Sequence, residues 1–411
     1  MQQTNDFNTL NAIYKEAYAD RVKDLIPEGV KVYNMFSFQS ADKQPGNQYI
    51  QPVTLGLEHG FTYGGSGGQA FALRNGVASS HESAKLKGHE MVLRSYLAVG
   101  AVSRSKGKNA FINASKLIVE NMLKSFARRL EVQLMYGQAD GGIGVVESTT
   151  ANEIKIEDHE WAAGIWSGSE KMPIEIRSSA GVLRGEASVT TNSLSDKTVT
   201  VDALPAGVVP TDVIYYAGAF GKEFAGIHKI ITNTGTLFDI DSAQFSLWQG
   251  NTVKVGADFT GNEAVLSFEK IEEAIALAME KGLADEDVTV ICNPKSWNNL
   301  LTDLAAKRRF DSSYDSAKHE QGAKVIEFYG MNGLIKIVPS IYCKEGYAYA
   351  LQTDCFLRVG SSEITLEQPG MEGKFIKLVE NANAYEMRSY TDQSLLCTQP
   401  GLQTILTFIR S

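Results

Sequence analysis

The stretch NAFINASKLIVENMLKSFARRLEVQLMY, residues 109–136, decides how the rest of the chain is read. It contains neither glycine nor proline. A row of apolar side chains four residues apart runs through Ala114, Ile118, Met122, Phe126, Leu130 and Leu134. Such residues stack on one side of a helix, so the row predicts one continuous apolar face. Val119, Leu123 and Ala127 widen the stripe, and Gly137 supplies the stop. At 1.5 Å per residue this helix would be about 40 Å long. That is more than twice the usual globular helix of about 11–12 residues. Its polar face is basic. A helix this long normally forms the backbone of an elongated body.

Upstream, residues 56–80 are rich in glycine: Gly56, Gly60, Gly64, Gly65, Gly67, Gly68 and Gly76. A phosphate-binding loop is excluded on detail. No Lys-Ser or Lys-Thr follows the glycines, and no apolar strand leads directly into them. The segment reads as a mobile loop, continuing through 81–105 with a strand-like patch from Met91 to Val102. A connection of that length inside a compact domain is usually functional or disordered. Further upstream, Phe7, Leu10, Ile13, Tyr14, Ala17, Tyr18, Val22 and Leu25 make a helical stripe, followed by a polar stretch from Ser37 to Gln51. Together they read as an arm that needs a surface to lie on.

Downstream, residues 138–262 change to strand-like runs separated by turns. Glu153–Ile156, Ser188–Thr191, Thr198–Val201, Asp212–Tyr216 and His228–Thr232 are read as strands of a small barrel or sandwich. Residues 267–360 read as α/β. Ser267 caps a helix carrying Phe268, Ile271, Ala274, Ile275 and Ala278, and Lys281-Gly282 closes it. The strand Val288–Cys292 follows, then a helix begun by Asn293-Pro294 with Trp297, Leu300, Leu301 and Leu304 on one face. The polar stretch Lys307–Gly322 reads as an exposed loop between that helix and further strands near 325–351. The terminal run Thr404–Ile409 is expected to pair into a sheet made by earlier segments.

The net charge of −9 hides an asymmetry. Between residues 74 and 129 stand Arg74, Lys85, Lys87, Arg94, Arg104, Lys106, Lys108, Lys116, Lys124, Arg128 and Arg129, against only Glu82, Glu90 and Glu120. A basic front and an acidic back can attract two copies head to tail, although a merely solvated basic face would read the same way. No nucleic-acid reader motif accompanies the charge. No run of about 20 apolar residues exists, so no membrane contact is expected. The residues Met1 to Asp6 lack the basic start of a secretory signal. Cys292, Cys343, Cys355 and Cys397 sit in or beside apolar runs without C-x-x-C spacing, as buried reduced thiols do.

No catalytic, cofactor or metal constellation emerges. The six histidines are scattered. Gly65-Ser66-Gly67 lacks the strand that a nucleophile elbow needs. Asp239 with Asp241, and Asp311 with Asp315, read as solvated turn acids before metal ligands. Tyr215-Tyr216 and Trp161, Trp166, Trp248 and Trp297 read as core or interface anchors.

In order of parts, the chain resembles the major capsid (head shell) protein of tailed bacteriophages, whose fold is shared with the herpesvirus capsid floor and with encapsulins. The run Gly235-Thr236-Leu237-Phe238-Asp239-Ile240-Asp241, Trp248 downstream, and Ala384-Tyr385-Glu386-Met387-Arg388 followed by Gln399-Pro400-Gly401 also resemble stretches of that family. The resemblance implies an α+β fold. Residues 1–55 would be an N-terminal arm, 56–105 the extended loop, and 106–144 a peripheral domain holding the long spine helix. Residues 145–262 would be a β-rich inserted module, 263–360 the axial α/β domain, and 361–411 the return to the peripheral sheet. It implies a non-enzymatic subunit that assembles with itself, as hexamers and pentamers of an icosahedral shell, in the host cytoplasm. Scaffolding, portal and decoration proteins and non-specifically held double-stranded DNA would be its other partners. Arg74, Lys85, Lys87, Arg94, Arg104, Lys106 and Lys108 are the expected inter-subunit contacts. An encapsulin-like compartment shell, another virion component such as a tail or decoration protein, and an α/β enzyme with an unusual site stay open beside this reading.

Overall fold

The computed structural model describes residues 29–40, 48–98, 108–255, 265–302, 326–366, 376–379 and 383–408, with backbone alone for 97–98, 108–117, 302 and 376. The expectations for residues 1–28, for Arg104 and Lys106, and for the polar stretch 307–322 lie outside these. The side chain of Ala114 lies outside them too.

The glycine-free stretch forms a 29-residue helix, Lys108–Tyr136. Met122, Phe126, Leu130 and Leu134 are buried at 4% exposure or less, and Ile118 is partly buried. The widened stripe needs correction at Leu123, which is 38% exposed. Over its last turns the helix is buried on every side, Glu131, Val132, Gln133 and Met135 included. Gly137 does not take the left-handed turn that ends the helix; Gln138 does, at φ 56°. Gly137 is required for a different reason. A Cβ there would stand 2.2 Å from the Phe224 carbonyl oxygen.

Among the described residues the strands form a closed six-stranded barrel, a six-stranded sheet, a five-stranded sheet and two two-stranded ribbons. The barrel runs from Gly144 to Tyr216. Its strands alternate, as in Thr198–Val201, so that Val146, Ile154, Ile156, Ile174, Ile176, Val189, Val199 and Ile214 fill the interior. Closure comes from Val213–Tyr216, which pairs with both Gly144–Val145 and Ile174–Arg177. The strand expected over His228–Thr232 is instead a helix, Ile227–Thr232. Ile227, Ile230 and Ile231 bury one face of it, and Gly226 lets it approach the long helix, where a Cβ would lie 2.6 Å from the Gln133 carbonyl.

The six-stranded sheet is ordered 251–254, 404–407, 347–351, 288–292, 334–339, 326–329. The helix Phe268–Glu280 covers it, capped by Ser267, whose side chain accepts from the Lys270 amide. The last strand, Thr404–Thr407, enters this sheet between Asn251–Lys254 and Tyr347–Leu351 and not the five-stranded one, contrary to the expected return of 361–411 to a peripheral sheet. The five-stranded sheet is built on the 14-residue strand Ala384–Cys397. That strand pairs along one edge with His89–Ala98 and along the other with Phe356–Thr365 and Ile376–Leu378. Phe38–Ser40 adds in parallel to Arg358–Gly360.

One hydrophobic cluster runs without a break from Val32 and Phe126, through the barrel, to Ile405. Two buried polar groups fasten the entering chain to it. Glu131 Oε1 accepts the Lys31 and Val32 amides at 2.9 and 3.0 Å, and Oε2 accepts the Tyr33 amide at 2.7 Å. Arg358 donates to the Phe36 carbonyl and to Glu363, and lies over the Tyr33 ring. A third buried group joins barrel, long helix and six-stranded sheet. Lys344 Nζ lies 2.5 Å from Glu160, donates to the Gly142 carbonyl, and faces the Tyr136 ring. Burial acts to raise the Glu160 pKa, but Lys344 and the Tyr347 hydroxyl outweigh it and hold the carboxyl below its ordinary range.

Candidate inter-subunit surface

A hairpin of Tyr49–Gly56 paired with Ser80–Leu86 rests its base on this core and carries a long loop beyond it. Its base is held firmly. Ala84 is fully buried, and Leu86 packs with Val359 and Leu396. The Lys85 amide donates to the Phe238 carbonyl at 2.9 Å, and Lys85 Nζ stands 3.4 Å from Asp239. Phe238 and Asp239, both at positive φ, form the two-residue turn between the Thr236–Leu237 and Ile240–Asp241 strands. This places the Gly235–Asp241 run: it clamps the hairpin base.

Beyond the base, residues 57–79 form a long loop. Thr62 is its only partly covered residue before the chain re-enters at Ser79. Two cross-links hold its limbs together, the His59 amide to the Val77 carbonyl and the Arg74 amide to Thr62 Oγ1. Gly64 lies against the Phe71 ring so closely that a Cβ would be 2.3 Å from it. Gly64 is thus required by the close approach of the Phe71 ring. The loop also carries Leu57, Phe61, Tyr63, Phe71, Leu73 and Val77, each at least 52% exposed and Tyr63 88%. Six large apolar side chains on one projecting loop is far from a scatter of single surface hydrophobes. Inspection of charge alone overlooks them. The signal was an apolar residue every few positions inside a glycine-rich, otherwise polar segment.

The basic residues read from the sequence do not gather in one place. Arg74 is exposed on the loop and Lys87 is exposed just past the hairpin. Lys85 faces Asp239, as above. Arg94 donates to Glu386 across the neighbouring strand and stacks near Tyr96. Lys108 begins the long helix. Next to Lys87, His89 Nδ1 meets Ser394 Oγ at 2.9 Å, and burial lowers its pKa.

The remaining candidates are structural. Asp241 accepts the Ala243 amide in its turn. Trp161, Trp166 and Trp248 are core residues at 1% exposure or less, the first two stacked. Among the described residues, no group of three His, Cys, Asp or Glu side chains is placed to hold a metal.

No family model and no curated protein matches this chain. Solved structures do, over its full length. The capsid asymmetric unit of cyanophage A-1(L) aligns with a TM-score of 0.59 at 11% identity, covering 99% of this chain and 100% of the other. The capsid chains of native and empty GTA particles align at 0.56 and 0.57, with 8% and 7% identity, covering 99% of this chain and all of theirs. The chain thus has the α+β fold of these shell subunits. In particular it has the tailed-phage major-capsid fold.

Proposed function

We propose that this chain is the major capsid protein of a tailed phage, a non-enzymatic subunit that assembles with itself into an icosahedral head shell enclosing double-stranded DNA. Six apolar side chains exposed on the loop 57–79, in a chain with this fold, carry the reading. A monomer leaves that surface in water; a lattice of copies covers it. Contacts of this kind are individually weak and repeated many times, which lets a growing shell reject misplaced subunits. The 1–55 arm, the 56–105 loop and the other domain divisions read from the sequence belong to this proposal, apart from Asn251–Lys254 and Thr404–Thr407, which join the six-stranded sheet. So do hexamers and pentamers as capsomers, and scaffolding, portal and decoration proteins as partners.

Electron microscopy of the purified protein is the direct test. Closed shells of uniform size are expected. A stable monomer that forms no particles at high concentration overturns the reading. Rings or tubes would assign the chain to another part of the virion. Shells holding a cargo enzyme in place of DNA would make it a compartment protein.

A further inference from the structure

A cleft of about 290 Å³ lies between the hairpin base and the body. Lys85, Lys87 and Lys229 line it above an apolar floor that includes Leu86, Phe224 and Leu237. Within the chain, Asp239 answers Lys85 and Asp140 answers Lys229. Lys87 has no ionic partner among the described residues. The cleft is therefore a basic, half-apolar socket with one cation to spare.

Some 200 residues further along the chain stands its complement. The turn after the helix Phe268–Glu280 presents Asp285, Glu286 and Asp287, all exposed, in succession. The backbone of that turn is held in place. Asn332 Nδ2 donates to the Glu286 carbonyl at 2.7 Å, and Asp287 accepts the Leu334 amide. Asp285 and Glu286 are left exposed on a turn whose backbone is hydrogen-bonded to the neighbouring strand and its turn. Burying a charged turn is favourable only where opposite charges meet it. Charge complementarity of this kind also selects register between identical subunits.

We infer that the acidic turn Asp285-Glu286-Asp287 of one copy seats in the lysine-lined cleft at the hairpin base of the next, with Lys87 as its unshared cation. The inference rests on the shell reading and names the surface that meets the basic hairpin.

Charge exchange tests it. Lys87→Glu and Glu286→Lys, each alone, should lower particle yield roughly tenfold at moderate salt, and the two combined in one chain should restore it. Circular dichroism and thermal melting of each variant check that the subunit still folds. Unchanged yields in both single variants, or no recovery in the double variant, overturn the contact. A second measurement uses the unaltered protein. Particles are assembled from mixed ordinary and nitrogen-15 chains and treated with a zero-length carbodiimide. Linked peptides joining Lys87 to Asp285 or Glu286 should carry one label from each chain. Wild-type shells without such mixed links overturn this contact and leave the shell reading standing. Absence of wild-type shells overturns both, so the two failures are distinguishable.

Discussion

His228 sits where the long helix, the short helix Ile227–Thr232 and the six-stranded sheet converge. Its Nδ1 meets the Tyr349 hydroxyl at 3.0 Å, and its ring packs edge-on to Tyr347. Burial, reinforced by the nearby Lys344 charge, pushes its pKa down from 6.5 to about 4. The unfolded chain therefore takes up this proton first as pH falls. The stability contributed by the neutral ring is complete above pH 6.5 and is lost between there and about pH 4. His228→Gln keeps a hydrogen-bonding partner for Tyr349 and cannot titrate. Its thermal midpoint should fall less steeply than that of the wild type between pH 6.5 and 4.5. Parallel curves would show that His228 is not the group responsible. Glu131 illustrates the opposite balance. Burial raises its pKa, and the three backbone amides it caps only partly offset that. A carboxylate is retained at this cost because three N–H groups would otherwise be orphaned.

At the scale of the element, the long helix separates what pattern predicts from what packing decides. Phe126 is 2% exposed and Leu123 is 38% exposed, although both belong to the apolar stripe read from the sequence. Phe126→Ala should destabilise the subunit by about 3–5 kcal/mol, through lost burial and the cavity left behind. Leu123→Ala should change it by less than about 1 kcal/mol. Urea denaturation of the two variants decides this, and equal losses would mean that the helix is rotated from the orientation described. The helix Ile227–Thr232 makes the complementary point. Its five residues His228–Thr232 are β-branched enough to read as a strand, but local propensity is a weak prior. Three isoleucines on one side, held against the long helix beside Gly226, outweigh it.

For the whole molecule, the question is what covers the loop. Replacing Phe61, Tyr63, Phe71 and Leu73 together with serine removes exposed apolar surface only. The variant subunit should melt within a few degrees of the wild type, because no core contact is lost. It should fail to form particles by sedimentation and electron microscopy. A variant that assembles normally would remove the loop from the proposed interface. A variant that fails to fold would show that the loop packs on its own body.

The sequence by itself determined the long helix, the capped helix at Ser267, the strand at Val288–Cys292 and the β-rich character after residue 144. Each rests on periodicity, capping chemistry or β-branched content, which act between near neighbours. It also carried the order of parts, and through that the fold. Only the tertiary structure decided that the β-rich stretch closes into a barrel, since closure joins Val213–Tyr216 to strands some 40 and 70 residues earlier. The same holds for Thr404–Thr407, which could have extended either sheet. At the candidate surface, charge counting found Arg74 and Lys87 but could not tell them from Lys85 and Arg94, which find acids in their own chain. Burial is a property of three-dimensional neighbours. That is why six apolar residues in a glycine-rich loop could be recognised as uncovered only once the rest of the chain had folded without them.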